Sequence, residues 1–228
     1  MNKSLPIYNL TFNANELESG ILAISLVDEP AIEKAWFAFA KENEKQFTFQ
    51  VVNTDKQILA GYFLVPDKLI YRKDSDTNFE YFVRFDTDTI SALAEKFNKN
   101  LLSDNFNINH NDQNTTQAFV KENWIIENAE FDKSKIYGFT PIVGAWFGLV
   151  KIEDNNVWNN YIKTGQLTGF SIEGLFEMEL TKLINQSLTK TEIKPADKIS
   201  AYLKKYAEKK QSRKNIIQKY LSIKNKKK

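Results

Sequence analysis

The chain has 228 residues, of which 42% are hydrophobic and 13% aromatic, enough to bury one core of ordinary size. It contains no cysteine and a single histidine, which excludes disulfides, a thiol nucleophile and metal sites that need several Cys or His ligands. We see no secretory signal and no apolar run that could cross a membrane, so we expect neither a leader nor a membrane partner.

The net charge of +2 is unevenly distributed along the chain. Residues 201–228 carry eleven Lys or Arg and one acidic residue, a net charge of +10, whereas the preceding residues carry −8. Such a division predicts an acidic body with a basic tail that acts as a separate unit.

The N-terminal half predicts short strands with one or two helices. Residues 6–13 and 20–27 have the composition of strands, and a helix is expected after Pro30, with Asp28 or Glu29 near its cap. The runs QFTFQVVN and QILAGYFLVPDKLIYR predict further strands. YFVRFDTDTISALAEKFNKN predicts a strand followed by a helix, capped within residues 86–89, with Ile90, Leu93 and Phe97 on its apolar face.

The C-terminal half continues this pattern. NFNINHND is interpreted as a polar strand end or loop, and QAFVKENWIIENAEFD and GAWFGLVKI as strands. EDNNVWNNYIKTGQL predicts a short helix with Asp154 near its start, and GFSIEGLFEMEL a last strand. Large aromatics such as Trp146, Phe147 and Trp158 are expected in the core. The sequence therefore predicts a mostly β, α+β domain over residues 1–180, a polar connector at 181–200 and a basic, helical or disordered tail at 201–228.

The run LTGFSIEG places one hydroxyl, that of Ser171, in the middle of an apolar strand. Such a serine is either an ordinary strand residue or a nucleophile. A nucleophilic serine needs a neutral imidazole to take its proton, and a histidine is suited to this because its ordinary pKa is about 6.5. The one histidine, His110, is either that base or a solvated residue of a polar loop. Gly169, Gly174, Gly144 and Gly148 are candidates for the close backbone approach that an oxyanion site requires.

Several longer motifs resemble those of phage prohead (capsid maturation) serine proteases of the PBSX-prophage type. They are ISLVDEPA, AGYFLVPDKLIYR, INHND, FVKENWII and, most specifically, GAWFGLVKIEDNNVWNNYIKTGQLTGFSIEG. The resemblance covers residues 1–180 and does not include the basic tail. It departs from the usual G-F-S-I-G-G at Glu173, where a small residue is common.

The resemblance implies a fold similar to the herpesvirus assemblins, a closed or partly closed β-barrel flanked by helices. It implies Ser171 as the nucleophile, His110 as the base and, on the strand after the histidine, Glu122 as the carboxylate that orients it. Glu173 and Asp112 are weaker candidates for that carboxylate. Glu122 could equally be an exposed residue in a surface ion pair.

The expected function is therefore a serine endopeptidase that processes scaffold and capsid proteins inside the assembling phage prohead, in the host cytoplasm, without a cofactor. The resemblance also implies a homodimer. The basic tail could dock to scaffold, be removed by self-cleavage or bind nucleic acid. The alternatives are a catalytically inactive scaffolding or structural protein of the phage head on the same fold, and a nucleic-acid-binding module based on the tail.

Overall fold

The computed structural model describes residues 5–28, 47–74 and 77–181 of the chain. The described strands are β1 (Ile7–Thr11), β2 (Gly20–Val27), β3 (Gln50–Asn53), β4 (Ile58–Leu64), β5 (Ile70–Lys73), β6 (Glu80–Arg84), β7 (Phe106–Ile108), β8 (Asn111–Thr115), β9 (Ala118–Ile125), β10 (Trp146–Ile152), β11 (Gly169–Leu175) and β12 (Glu177–Leu180). Between them lie helix α1 (Thr87–Lys99), a 3₁₀ helix (Lys133–Tyr137) and the one-turn α2 (Asn155–Val157), which continues as a π-helical turn (Trp158–Ile162). The predicted α+β class with a majority of strands is confirmed.

These strands form three four-stranded sheets. Their strand orders are β12-β1-β6-β5, β3-β4-β10-β9 and β11-β2-β7-β8. The predicted barrel is not confirmed, because closing a sheet requires its first and last strands to pair, and no described sheet closes on itself. Between the second and third sheets, the described residues contain one isolated bridge, from Thr48 to Gly169.

The core is dominated by apolar and aromatic side chains from β4 and β10, which are buried along nearly their whole length. The prediction that Trp146, Phe147 and Trp158 are core residues is confirmed, because each is 2% exposed or less. The ring of Phe63 packs edge-on against Trp146, with centroids 4.8 Å apart. Rings in this orientation add to the stabilisation that burial alone provides.

Helix α1 forms where the sequence predicted it. Asp86 is its N-cap, and the Asp86 carboxylate accepts a hydrogen bond of 2.7 Å from the backbone N–H of Thr89. The predicted apolar face of Ile90, Leu93 and Phe97 is buried, as helical spacing requires. The predicted cap at Asp154 is also confirmed, since its carboxylate accepts from the N–H groups at positions 156 and 157.

The chain divides into two compact units. Among the described residues, one unit contains those up to Lys73 together with Glu80–Leu180, and the other contains residues 74, 77–79 and 181. Within the described part of the second unit, the N–H and hydroxyl of Thr77 both donate to the Asp74 carboxylate at 2.8 Å.

Some of the predictions fall on residues that the structure does not describe. The helix expected after Pro30, the tail at 201–228 and, apart from residue 181, the connector lie outside the described residues. Within the described residues, no helix has both the length and the apolar character needed to span a membrane.

Candidate active site

Strand β11 has one apolar and one polar face. Because side chains alternate along a strand, Ser171 and Glu173 share the face opposite Phe170. The ring of Phe170 packs between Phe49 and Phe63, with centroid distances of 5.2 Å to each. This packing fixes the strand, so the serine and the carboxylate are presented together on its other face.

Ser171 belongs to a row of polar residues that crosses three neighbouring strands. It pairs with Ser25 on β2, and Ser25 pairs in turn with Asn107 on β7. Residues paired directly across strands project to the same face of a sheet. The polar face of the third sheet therefore carries Ser171, Ser25, Asn107 and Glu173. Sequence reasoning missed Ser25 and Asn107, although each is the one polar side chain of its strand.

His110 lies at the tip of the hairpin that joins β7 to β8. Ile108 pairs with Asn111, so the turn consists of two residues, Asn109 and His110, with φ values of 51° and 57°. Positive φ at both central residues is typical of the type I′ turns that suit tight hairpins. The backbone N–H of His110 donates to the hydroxyl of Ser25 at 3.1 Å, which ties the turn to the adjacent β2. The Asn-rich run NFNINHND, for which the sequence predicted a strand end or loop, is therefore part of a tight hairpin.

Three possible hydrogen-bond donors surround the carboxylate of Glu173. Its Oε1 lies 2.9 Å from His110 Nδ1, 2.7 Å from Asn107 Nδ2 and 2.8 Å from Ser25 Oγ. Burial raises the pKa of Glu173, but the hydrogen bonds from His110, Asn107 and Ser25 and the attraction of His110 together hold the pKa below its ordinary value. The arrangement therefore favours an ionised carboxylate at the imidazole.

This contact determines which ring nitrogen of neutral His110 can act as a base. An ionised carboxylate can only accept a hydrogen bond, so Nδ1 carries the proton that points to Glu173. The lone pair of the neutral ring then lies on Nε2. The side chain of His110 is 44% exposed, so the imidazole is accessible from outside. A carboxylate on Nδ1 and a free Nε2 are the arrangement used by general-base histidines.

Ser171 is connected to this pair through Ser25, which is its partner across the strands and the acceptor for the N–H of His110. The serine residue is 6% exposed. Among the described residues, no hydrogen bond joins its hydroxyl to His110. Such bonds are often long before substrate binds and tighten in the complex.

Glu122, the carboxylate predicted from the resemblance, lies elsewhere. It is on β9, in the second sheet, where it pairs with Lys133 and, at 3.0 Å, with Lys121. Hydrogen bonds from Lys133 and then Lys121 lower the pKa of Glu122. The structure therefore brings Glu173, and not Glu122, to His110. The other weaker candidate, Asp112, is on β8, two residues after the histidine.

Three of the four glycines considered for an oxyanion site have a packing role. A Cβ at Gly174 would overlap the carbonyl oxygen of Gly20, and one at Gly148 would overlap the ring of Phe63. At Gly144, where φ is +83°, a Cβ would lie 2.6 Å from Thr87 Oγ1. These close approaches explain glycine at the three positions without an oxyanion role.

A cleft of about 370 Å³ opens beside the histidine turn. Its lining combines the turn and the segment before β11 with polar groups from neighbouring elements: Asp28, Ile108, Asn109, Asn114, Tyr161, Gln166 and Leu167. The N–H of Asp28 donates to Asn109 Oδ1 at 3.1 Å, which links the end of β2 to the same turn. The lining includes Asn109, the other residue of the turn, but does not include His110, Ser171 or Glu173. Across the part of the chain that the structure describes, no group of three or more His, Cys, Asp or Glu side chains is placed to hold a metal ion.

Comparison with known proteins gives one family match. The family described as "Putative phage serine protease XkdF" matches residues 45–179, more than half of the chain, and this range contains the turn at His110 and all of β11. Neither the search of curated proteins nor the search of solved structures found a match.

Proposed function

The chain belongs to the phage serine protease family of the XkdF type, and from this premise we propose that it is a serine endopeptidase with Ser171 as nucleophile, His110 as base and Glu173 as the carboxylate that orients the base. The family is named as a peptidase family, which supports protease activity at that level. The assignment of individual residues is our proposal.

The observation that carries the proposal is the hydrogen bond of 2.9 Å between Glu173 Oε1 and His110 Nδ1. It supports a fixed ring orientation and a free Nε2, which is what proton abstraction from a serine requires. The cross-strand pairing of Ser171 with Ser25, whose hydroxyl also binds the backbone of His110, supports Ser171 as the hydroxyl that Nε2 serves.

The proposed reaction proceeds through an acyl-enzyme. Nε2 of His110 takes the proton of the Ser171 hydroxyl as Oγ attacks the scissile carbonyl carbon, and Glu173 stabilises the imidazolium that forms. Nε2–H then protonates the leaving amine as the C–N bond breaks. A water molecule attacks the ester carbon with His110 again as base, which releases the carboxylic acid product and restores Ser171.

The family also supports a proposal for the biological setting. We propose that the substrates are scaffold and capsid proteins and that the enzyme works inside the assembling prohead, in the host cytoplasm. We further propose a homodimer, with a basic tail that docks to the scaffold or binds nucleic acid. The charge of +10 on residues 201–228 against −8 on the remainder supports a distinct role for the tail.

A matched set of variants tests the proposed triad. Each protein is co-expressed with the neighbouring capsid and scaffold proteins, and the products are followed by intact mass. We expect Ser171→Ala to abolish cleavage and Glu173→Gln to lower kcat by roughly 10⁴, as loss of the orienting carboxylate does in serine proteases. Glu122→Gln serves as the control and should keep nearly full activity, because its ion pairs are at the surface.

Two results would contradict this proposal. If Glu122→Gln were inactive and Glu173→Gln active, the orienting carboxylate would be Glu122, as the resemblance implied. If wild type and Ser171→Ala both left the partner proteins uncut, the chain would be better explained as a non-catalytic head-assembly protein. Salt-sensitive DNA binding that disappears on removal of residues 201–228, without proteolysis, would favour the nucleic-acid-binding alternative.

A further inference from the structure

We propose that Ser25 and Asn107 are positioning residues, which hold the Glu173 carboxylate and the His110 backbone so that the imidazole keeps Nε2 free. This proposal rests on the proposed function, because it concerns the orientation of the same base. It adds two residues to which no role in this protein has been assigned.

Ser25 contacts both parts of the pair that it would position. Its hydroxyl accepts the N–H of His110 at 3.1 Å and lies 2.8 Å from Glu173 Oε1. One small side chain therefore fixes the backbone of the base and the oxygen that the base contacts. Ser25 is on β2, which lies between β11, the strand of Glu173, and β7, the strand that leads into the turn of His110.

Asn107 completes this network. Its Nδ2 donates to Glu173 Oε1 at 2.7 Å, and its Oδ1 makes a close contact with Ser25 Oγ. A hydroxyl has one proton, so Ser25 can donate to only one of these two oxygens at a time. Whichever oxygen Ser25 donates to, the amide of Asn107 donates to the carboxylate. Glu173 therefore always has at least one donor in addition to His110.

The burial and contacts of Ser25 and Asn107 fit positioning residues rather than catalytic residues, which touch the substrate. Ser25 is 0% exposed, and Asn107, which is 4% exposed, directs both atoms of its side-chain amide to Glu173 and Ser25. Buried polar groups are costly unless each is paired, and an apolar pair would be the cheaper choice inside a sheet. The hydrogen bonds of both side chains instead converge on the carboxylate and the backbone of the histidine. This convergence is what the proposal explains.

The single histidine makes the test unusually direct, because ¹⁵N-histidine labelling of the full chain reports His110 alone. The nitrogen shifts of the neutral ring give the fractions of the Nδ1–H and Nε2–H tautomers. We expect the Nδ1–H form to dominate in wild type. Ser25→Ala and Asn107→Leu should increase the Nε2–H fraction at least twofold, since the carboxylate is no longer held against Nδ1.

The matched control is Ser19→Ala. Ser19 is also buried, at 2% exposure, and its hydroxyl also accepts a backbone N–H, that of Asn13 at 2.9 Å, but it lies outside the network. We expect it to leave the tautomer fractions unchanged. In the cleavage assay, Ser25→Ala and Asn107→Leu should lower kcat roughly 10- to 100-fold, the loss expected for a hydrogen bond to a charged group, without changing KM.

Each outcome decides the proposal. Unchanged tautomer fractions in both folded network variants, or a shift of equal size in Ser19→Ala, would overturn it. Should Ser25→Ala not fold, Asn107→Leu carries the test, and Ser25→Thr, which retains a hydroxyl, should restore the Nδ1–H form. If wild type shows no cleavage that depends on Ser171, the proposed function fails, while the tautomer measurement still supports or overturns the positioning of the ring.

Discussion

The turn at His110 can be tested by substitution, because the His110→Gly protein should be more stable than the His110→Ala protein. His110 has φ of +57°, a left-handed conformation that costs an ordinary L-residue roughly 1–2 kcal/mol and costs glycine almost nothing. Both His110→Gly and His110→Ala remove the imidazole and its bond to Glu173, so their difference isolates the backbone. At an ordinary position, glycine lowers the free energy of unfolding by about 0.5–1 kcal/mol relative to alanine, because glycine gives the unfolded chain more conformational entropy. The backbone cost at alanine outweighs this entropy, so the free energy of unfolding of His110→Gly should exceed that of His110→Ala by about 1 kcal/mol.

Urea denaturation of the two variants measures this difference as a free energy of unfolding. For a chain of this size, about 1 kcal/mol corresponds to a melting temperature higher by roughly 2–4 °C. Thr115 provides the control, since it is exposed on the same hairpin and has no positive φ. There the order should reverse, with alanine more stable than glycine. Neither histidine variant should cleave substrate.

One result would refute the reasoning. If His110→Ala were as stable as His110→Gly, or more stable, the turn would not hold position 110 in the left-handed region in solution. The geometry that directs the imidazole to Glu173 would then need another explanation.

Further predictions concern the strand that carries the serine. Phe170→Ala should lower the free energy of unfolding by about 3–5 kcal/mol, because its ring fills the space between two others, and a urea-measured loss below about 1 kcal/mol would contradict this packing. Gly174→Ala should disrupt the pairing of β11 with β2 and abolish cleavage, while Gly165→Ala, with open space around it, should cost only its backbone strain and retain cleavage. The pKa of Glu173 is lower in the folded protein than its ordinary value of 4.5 in the unfolded chain. Ionised Glu173 therefore stabilises the fold at pH values above 4.5, and this contribution is lost as the pH falls through the pKa of the folded state. The stability difference between wild type and Glu173→Gln should therefore shrink as acid is added below pH 4.5; a difference that is constant with pH would contradict this.

Local patterns in the sequence were sufficient to predict many of the elements, although the β7–β8 hairpin was predicted only as a strand end or loop. The cap at Asp86, the apolar face of α1 and the burial of Trp146 all follow from spacing and hydrophobicity within a few residues. The placement of Ser171 on a strand followed from the same kind of evidence, and it is confirmed.

The composition of the site depends on contacts that no local pattern contains. Ser25 is 85 residues from His110 and 148 from Glu173 in the chain, so only the register of β11, β2 and β7 joins them. The alternation of β11 does put Glu173 on the face of Ser171, and this signal was present in the sequence. Glu122 was expected because it lies on the strand that follows the histidine in the chain, and the face shared by Glu173 and Ser171 was given less weight.

The strand order of the third sheet has a consequence for the time at which activity can arise during synthesis. His110, the proposed base, comes first in the chain, whereas the proposed nucleophile Ser171 and the proposed orienting carboxylate Glu173 are both on β11, which the ribosome makes about sixty residues later. Since β11 pairs with the early strand β2, the chain must close a loop of over 140 residues before the three groups meet. A nascent chain that ends before β11 therefore has the histidine but neither Ser171 nor Glu173, so the proposed triad cannot assemble on it.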